Sequence, residues 1–512
     1  MHQTPIQTPA KIYVNHSITG AGKTDHFIDK VSHEHNYIYA APTNAVQNAT
    51  TLKLQERGFH VENIHQHTTD SAIKSTLTAI RDKKHIIVCS HSTLQTIMNN
   101  HDRTLLDNFK HYHVVIDELI NFSYMITTNA YYYESLGTFS TLDFVDTNNK
   151  ELQRISVKDD ANAKAFIKSR ASAKQFTLNS KVQTNQTYIA NSSFAPQTFY
   201  QTLQSIGYDL LVSNASLERL QSAVSAYTSI TFMKVLSREF VSSCARFEIL
   251  SARFDITVSR KILELNDIEL VFDETLPITH TFDKLNICYV LDNYTATERD
   301  KTNIQQSLSD YVAHHHNRFI FKCNQESKFR SMFESAGGLY VISESGSNEY
   351  IEETVVVSSI SQNPPPEETK KYKDFGITYD DIERDRNAHS FYQLVSRSKL
   401  RTHSVKTPCP TVYAYCISKK SADFLHSLFP LSPEPTRIML KNYNSISSTT
   451  NKVPKMQRND RKSLDRVNYL YKKSKRGKNL SFEESLEYNA SREMLDRSTK
   501  PTLFDFDTQK FI

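Results

Sequence analysis

Lys23 and Thr24 close a short loop, Ser17-Ile18-Thr19-Gly20-Ala21-Gly22-Lys23-Thr24, whose residue types suit the binding of a phosphate chain. An apolar run from Lys11 to His16 reads as a strand leading into it, and Thr24 to Ser32 reads as a helix leaving it. Strand, glycine-bearing loop and Gly-Lys-Thr at a helix start is the setting a phosphate-binding loop requires. The backbone N–H groups of Gly20, Ala21, Gly22 and Lys23 are expected to cradle a β-phosphate, because a helix N-terminus and a concave run of amides both favour anions. Lys23 would neutralise β/γ oxygens, and the Thr24 hydroxyl would ligate Mg²⁺. The chain has only ten glycines, and two of them, Gly20 and Gly22, fall in this loop. The first position of the pattern, ordinarily Gly or Ala, is Ser17.

Asp117 and Glu118 end another apolar run, His111 to Leu119. Beside a phosphate loop, such a pair has a direct chemical reading: Asp117 holds the Mg²⁺ through water, and Glu118 orients and polarises the attacking water. Further on, a run from Ser390 to Leu400 reads as a helix carrying Gln393 and Arg397, with Arg401 just beyond. If that helix runs one residue further, the two arginines share a face, four residues apart.

The elements that position these groups alternate. Strands are expected at Asn36–Asn44, Phe59–Ile64, His85–Leu94, His111–Leu119, Ala245–Ala252 and Ile268–Phe272, with helices between the first three. Continuous apolar strands alternating with helices imply a parallel α/β sheet, and ligands of such sheets bind at strand carboxyl ends. The polar clusters of Ser17–Thr24, Ala41–Asn44, Ser90–Leu94 and Asp117–Glu118 all fall there. From Ile120 to about Ile230 the pattern weakens. Tyr131-Tyr132-Tyr133 in this stretch either builds a small core or stacks bases.

A second α/β set begins near Lys284 and closes with a strand at Pro410–Cys416 and a helix at Ser421–Phe429. Pro364-Pro365-Pro366 and the charged residues to Arg386 read as a linker-like break. The carboxylates there, Asp374, Asp380, Asp381, Glu383 and Asp385, could mimic a two-metal nuclease but lack a rigid frame. His314-His315-His316 and His33-Glu34-His35 lack metal-ligand spacing and read as solvated groups. Past Pro435 the composition turns basic, and Lys452 to Lys478, with Tyr469 and Tyr471 interleaved, suits either phosphate-backbone contact or a solvated face.

Composition bounds the rest. At 512 residues with 38% hydrophobic content, the chain is long enough for several packed cores. A formal charge of +5 permits nucleic-acid binding without requiring it. No run approaches the length of a membrane span, and the N-terminus has no secretory pattern. The six cysteines are unpaired in spacing, as expected of free thiols in a reducing cytoplasm, the host's if the chain is viral.

Taken together, the clusters resemble the motif set of superfamily-2 DExD/H-like helicases, of phage or mobile-element style, over roughly residues 10 to 430. Ser17–Thr24 resembles motif I, Ala41-Pro42-Thr43-Asn44 motif Ia, Ser92-Thr93-Leu94 motif Ib and Asp117-Glu118-Leu119-Ile120 the DExx box. Ser251-Ala252-Arg253 is similar to motif III with Arg for Thr, and Gly346-Ser347-Asn348 to motif V. Gln393 to Arg397 with Arg401 resembles motif VI, with Ser396 where Gly is usual and the arginines four apart in place of three.

The resemblance implies two RecA-like parallel-sheet lobes. The first comprises 1–120 and 231–275, with an accessory insertion at 121–230; the second comprises 276–430, and 431–512 form a basic extension. It implies ATP and Mg²⁺ between the lobes, with an arginine finger from Arg397 or Arg401, and Arg401 preferred. Ser251, Ala252, Gly346 and Asn348 would couple hydrolysis to movement. Pro42, Thr43, Asn44, Ser92 and Thr93 would hold a single-stranded or forked nucleic acid, DNA ahead of RNA. The implied activity is that of an ATP-dependent helicase or translocase in phage or mobile-element replication or recombination, with the insertion or tail available to replication proteins. A DNA-packaging motor ATPase and a replication-initiation module with residual ATPase are the alternatives.

Overall fold

The protein is described from a computed structural model. The described residues are 10–18, 20–65, 69–118, 120, 122–129, 138–171, 195–221, 229–273, 282–292, 298–323, 326–341, 350–359, 364–402, 410–429, 431–440 and a few positions between 469 and 511. Thr19, Tyr131–Tyr133, Gly346, Asn348 and nearly all of the basic stretch 452–478 lie outside them. Residues Met1–Leu440 form one compact unit and Lys441–Ile512 another.

The apolar runs at the start of the chain form strands because each is buried on both faces, as parallel sheets demand. They are β1 (Lys11–Asn15), β2 (Asn36–Ala41), β3 (Val61–Asn63), β4 (Ile86–Ser90) and β5 (Tyr112–Asp117). After β5 the chain leaves this sheet and builds a second from β6 (Tyr124–Asn129), β7 (Leu142–Asp146), β8 (Leu152–Val157), β9 (Tyr208–Ser213) and β10 (Ser229–Leu236). This sheet is antiparallel, in the order β6-β10-β9-β8-β7, with helices Ala161–Ala171 and Ala195–Gln204 packed on it. The chain then returns with β11 (Arg246–Leu250) and β12 (Glu269–Phe272), completing a seven-stranded parallel sheet in the order β12-β1-β11-β5-β2-β4-β3. The accessory sheet thus extends to Leu236, past the boundary near 230 expected from the sequence.

The second lobe is a six-stranded parallel sheet. Its strands are β13 (Leu285–Leu291), β14 (Phe319–Cys323), β15 (Gly338–Tyr340), β16 (Val355–Ser359), β17 (Val412–Ser418) and β18 (Thr436–Arg437), ordered β15-β14-β16-β17-β13-β18. Two parallel sheets flanked by helices give the two RecA-like lobes.

The stretch read as a linker is ordered. Pro366–Lys373 and Tyr379–Glu383 are α-helices, and the second runs through a π-helical turn, Arg384–His389, into Ser390–Val395. Thr378 and Asp381 cap it reciprocally, a capping box that satisfies two orphan amides. Phe375, Ile377 and Ile382 share a core with Val258 and Ile262 of the first lobe and with Leu152, Leu211, Met233 and Val235 of the accessory sheet. Lys261 reaches Asp381 at 2.7 Å across the same junction. This arm of the second lobe therefore clasps the first. Phe375 is fully buried, and Phe375→Ala is expected to lower the stability of the full chain by about 3–5 kcal/mol in denaturant unfolding; a loss below ~1 kcal/mol would mean that the arm does not pack there.

The acidic residues of the arm serve structure. Asp380 and Glu383 pair with Lys420, and no cluster of His, Cys, Asp or Glu among the described residues suits a metal ion. His316 is held by the Tyr415 hydroxyl at 2.8 Å, and His33 and His35 stack on His85 and His113, so neither group is simply solvated. No helix among the described residues is long and apolar enough to cross a membrane.

Candidate active site

Register aligns the carboxyl ends of the first sheet. Asn15 pairs with Leu250, Leu250 with Asp117, Ala40 with Ile116 and Ala41 with Ser90, so the chemically capable loops leave one edge side by side. The loop after β1 turns with Gly20 and Gly22 at φ 85° and 76°, a left-handed backbone that an L side chain pays to adopt. Gly22 caps the helix Lys23–Lys30 and points the amides of its first turn at the loop. Lys23 Nζ donates to the carbonyls of Ser17 at 3.0 Å and Ile18 at 3.2 Å.

Asp117 lies opposite, buried, with the Thr24 hydroxyl donating to its Oδ2 at 3.4 Å and the Tyr39 hydroxyl at 2.5 Å. Burial first, and then the charge of Glu118, push its carboxyl up to about 6. Withdrawal from water pulls Lys23 down to about 8, with Arg401 and Arg397 adding to the effect and the two carboxylates opposing it. Glu118 holds a left-handed backbone (φ 66°), and its N–H donates to Leu250 O at 2.9 Å, which carries the pairing one residue past the strand as the chain turns.

The second lobe supplies two cations. Arg397, 1% exposed, reaches Glu118 at 3.6 Å. Arg401 is electrostatically coupled to Arg397, Glu118 and Asp117, and burial is the main cause of its lowered pKa. The helix expected to carry both ends at Val395, and Lys399–Thr402 is a separate 3₁₀ turn. The arginines therefore converge through a turn of the chain and not through a shared helical face. Ile18 and Ala252 pack into the second lobe's core with Phe391, Leu394 and Leu400, so the lobes meet at this site.

Behind it, the lobes also touch through polar groups. His389 Nε2 lies 3.2 Å from Ala252 O, and the Gln393 amide lies 3.3 Å from the same nitrogen. Burial pushes the Asp385 carboxyl above the usual carboxylate range, against the charge of His389 and the Val258 amide at a helix start of the first lobe. Ser251, fully buried, keeps its hydroxyl without a hydrogen-bond partner among the described residues, as does Gln393 Oε1.

Three cations, Lys23, Arg397 and Arg401, are coupled to two carboxylates, Asp117 and Glu118, in one cleft. A cluster with surplus positive charge fits a polyanion, and hydroxyl beside carboxylate fits a hard cation that prefers oxygen. The phosphates of a magnesium nucleotide answer to both.

Residues 8–155 match the family model for the DEAD/DEAH box helicase. Over those residues the chain is similar to that family. No curated protein matches it. Solved structures similar to this chain include S. tokodaii Xpd4, at 11% identity and a TM-score of 0.43, covering 84% of this chain and 96% of that one. The DUF1998 helicase MrfA bound to DNA and AMPPNP follows at 11% identity and 0.36, covering 85% and 50%. S. cerevisiae Dbp5 bound to RNA and ADP BeF3 shows 11% identity and 0.33, covering 84% and 86%.

Of the residues expected to contact a strand, Asn44 and Ser92 are exposed and Pro42 and Thr43 half-buried, while Thr43 caps the helix Asn44–Glu56 by accepting from Val46 N–H. Thr93 is 1% exposed and its hydroxyl is bonded to Ser90 at 3.0 Å, so its side chain is not free to meet a strand. The Ser/Thr cluster opens a helix, His91–Met98, in place of ending a strand. Sequence reasoning missed Tyr39, His389, Asp385 and His91, whose Nε2 donates to Asp117 O at 2.8 Å. For Tyr39 a signal existed: a phenol in a strand buried on both faces must find a hydrogen-bond partner.

Proposed function

We propose that the chain is an ATP-driven helicase or translocase that moves along single-stranded or forked nucleic acid, DNA ahead of RNA, in the replication or recombination of a phage or mobile element. The observation that carries the motor reading is the reach of Arg397 from the second lobe to Glu118 of the first. Such a contact lets nucleotide state and lobe closure control each other.

In this reading Lys23 and the loop amides bind the phosphates, and Thr24 and Asp117 hold the Mg²⁺. The bound metal supplies neutralisation of charge developing on the transferred phosphoryl group. Glu118 orients the attacking water, Gln393 and Ser251 offer their unbonded polar atoms to the γ-phosphate side, and Arg397 and Arg401 stabilise charge there. Ala252 passes the lobes' relative position to His389. Gly346 and Asn348 are proposed to join this coupling from the second lobe. Pro42, Thr43, Asn44 and Ser92 track the sugar–phosphate backbone, which gives little sequence preference. The accessory sheet and the residues after 440 are offered to protein partners or to further phosphate contacts.

Strand displacement on 3′-tailed and 5′-tailed duplexes, made in DNA and in RNA, tests this. ATP-dependent displacement of at least one tailed DNA duplex is the expected result. Displacement confined to RNA would overturn the DNA preference, and ATP hydrolysis with no displacement or translocation on any strand would overturn the motor.

A further inference from the structure

The peptide unit between Asp117 and Glu118 is gripped at both of its polar atoms. Its N–H, on Glu118, donates to Leu250 O at 2.9 Å. Its carbonyl, on Asp117, accepts from His91 Nε2 at 2.8 Å. A carbonyl oxygen can only accept, so the ring carries a proton on Nε2. The grip falls where the backbone is least at ease: Glu118 holds φ 66°, a region that L side chains adopt only at a cost. Rotating this one peptide plane would break both bonds and let φ leave the left-handed region. His91 itself is firmly seated. It opens the helix His91–Met98, which Ser90, the last residue of β4, caps by accepting from Thr93 N–H. In the sheet β2 lies between β4 and β5, with Ser90 in register with Ala41 and Ala40 with Ile116. The imidazole therefore crosses the carboxyl end of β2 to reach β5.

We propose that His91 is a positioning residue for Glu118: its N–H locks the peptide plane from which the Glu118 side chain projects toward Arg397. The effect on turnover rests on the ATP-hydrolysis reading above; the lock itself rests on the two hydrogen bonds. Leu250 O holds only one side of the plane, and the strain at Glu118 works against that bond. With His91 in place the carboxylate stays where the Arg397 guanidinium lies 3.6 Å from it. A working site must be held to within about 0.5 Å and 10–20°, a tolerance that a loosened peptide plane exceeds. The grip on nucleotide is built separately. Lys23 is held by the Ser17 and Ile18 carbonyls, and the Asp117 carboxylate by the Tyr39 hydroxyl. The lock therefore governs hydrolysis and leaves binding alone.

The experiment uses the full chain and two variants of nearly equal size. His91→Leu removes the donor, whereas His91→Gln can place an N–H near the position of Nε2. Three quantities are read: deuterium uptake at the Glu118 amide by mass spectrometry of peptic fragments, single-turnover ATP hydrolysis, and affinity for a non-hydrolysable ATP analogue. In His91→Leu the Glu118 amide is expected to exchange about fivefold faster or more. Hydrolysis is expected to fall by about tenfold or more, with analogue affinity as in the native chain. His91→Gln is expected to regain most of both losses, and in a Glu118→Gln background His91→Leu should cost no further turnover. Native exchange in His91→Leu would overturn the lock, and faster exchange with native hydrolysis would overturn its role in placing Glu118. Equal losses of turnover and analogue affinity, or no recovery in His91→Gln, would mean that the ring acts by packing, which also overturns the proposal. Should His91→Leu not fold, His91→Asn takes its place, because the shorter amide cannot reach Asp117 O. If the native chain hydrolysed no ATP, the reading above would fail, whereas the exchange arm would still decide whether His91 locks the peptide.

Discussion

Glu118→Gln will bind nucleotide as the native chain does and lose turnover by about 10²–10⁴-fold. The substitution is nearly isosteric and leaves Lys23, Thr24 and the loop amides in place, so the groups that grip phosphate are untouched. What disappears is the charged oxygen that polarises water. The backbone at 118 is left-handed and bonded to Leu250 O, so the amide is delivered to the same place as the acid. Lys23→Ala should behave in the opposite sense. It removes the one cation from the loop itself and abolishes tight nucleotide binding before hydrolysis becomes an issue. Nucleotide affinity and single-turnover rate, measured for both, separate the two roles; normal hydrolysis by Glu118→Gln would move the water-orienting role to another residue.

Arg397→Ala and Arg401→Ala are each expected to retain nucleotide and to lose about 10³-fold or more in stimulated turnover. Arg397 is the more informative of the two. Its side chain is almost fully buried and lies beside Glu118, so its removal takes a positive charge from the water-orienting carboxylate as well as from the γ-phosphate side. Arg401 is held on its own 3₁₀ turn and is electrostatically coupled to Arg397, Glu118 and Asp117. A larger loss of turnover in Arg401→Ala, with a shifted pH profile only in Arg397→Ala, is the expected division. Near-normal turnover in both would mean that the second lobe does not close over the nucleotide.

Much of the first lobe was legible because physics wrote it locally. Val114-Val115-Ile116-Asp117 is apolar until its carboxylate, as a strand buried on both faces must be, and the glycines of the phosphate loop stand where the backbone turns left-handed. The accessory sheet was not legible. Its strands lie among polar segments, and part of it packs on residues far along the chain: Val235, Ile262 and Phe375 meet in one core although nothing in their spacing announces it. The arm from Pro366 to His389 was missed for a related reason. Its helices are short and charged, and one continues through a π-helical turn that no 3.6-residue period describes. The arginines were found by type, but the path that brings them to the site was misjudged, because Ser396 and Ser398 do not mark a helix end by propensity alone.

Five non-glycine residues among those described hold a left-handed backbone, and two of them, Glu118 and Arg253, stand just beyond the strands that carry the site. Each such residue costs about 1–2 kcal/mol relative to one at ease there. The fold therefore contains an evolutionary tension at position 118. Glycine would relax the backbone and raise the melting temperature, yet it would delete the carboxylate on which turnover depends. Laboratory selection for heat resistance alone would drift toward inert chains at this position, and only selection that also demands ATP turnover would keep the strained glutamate.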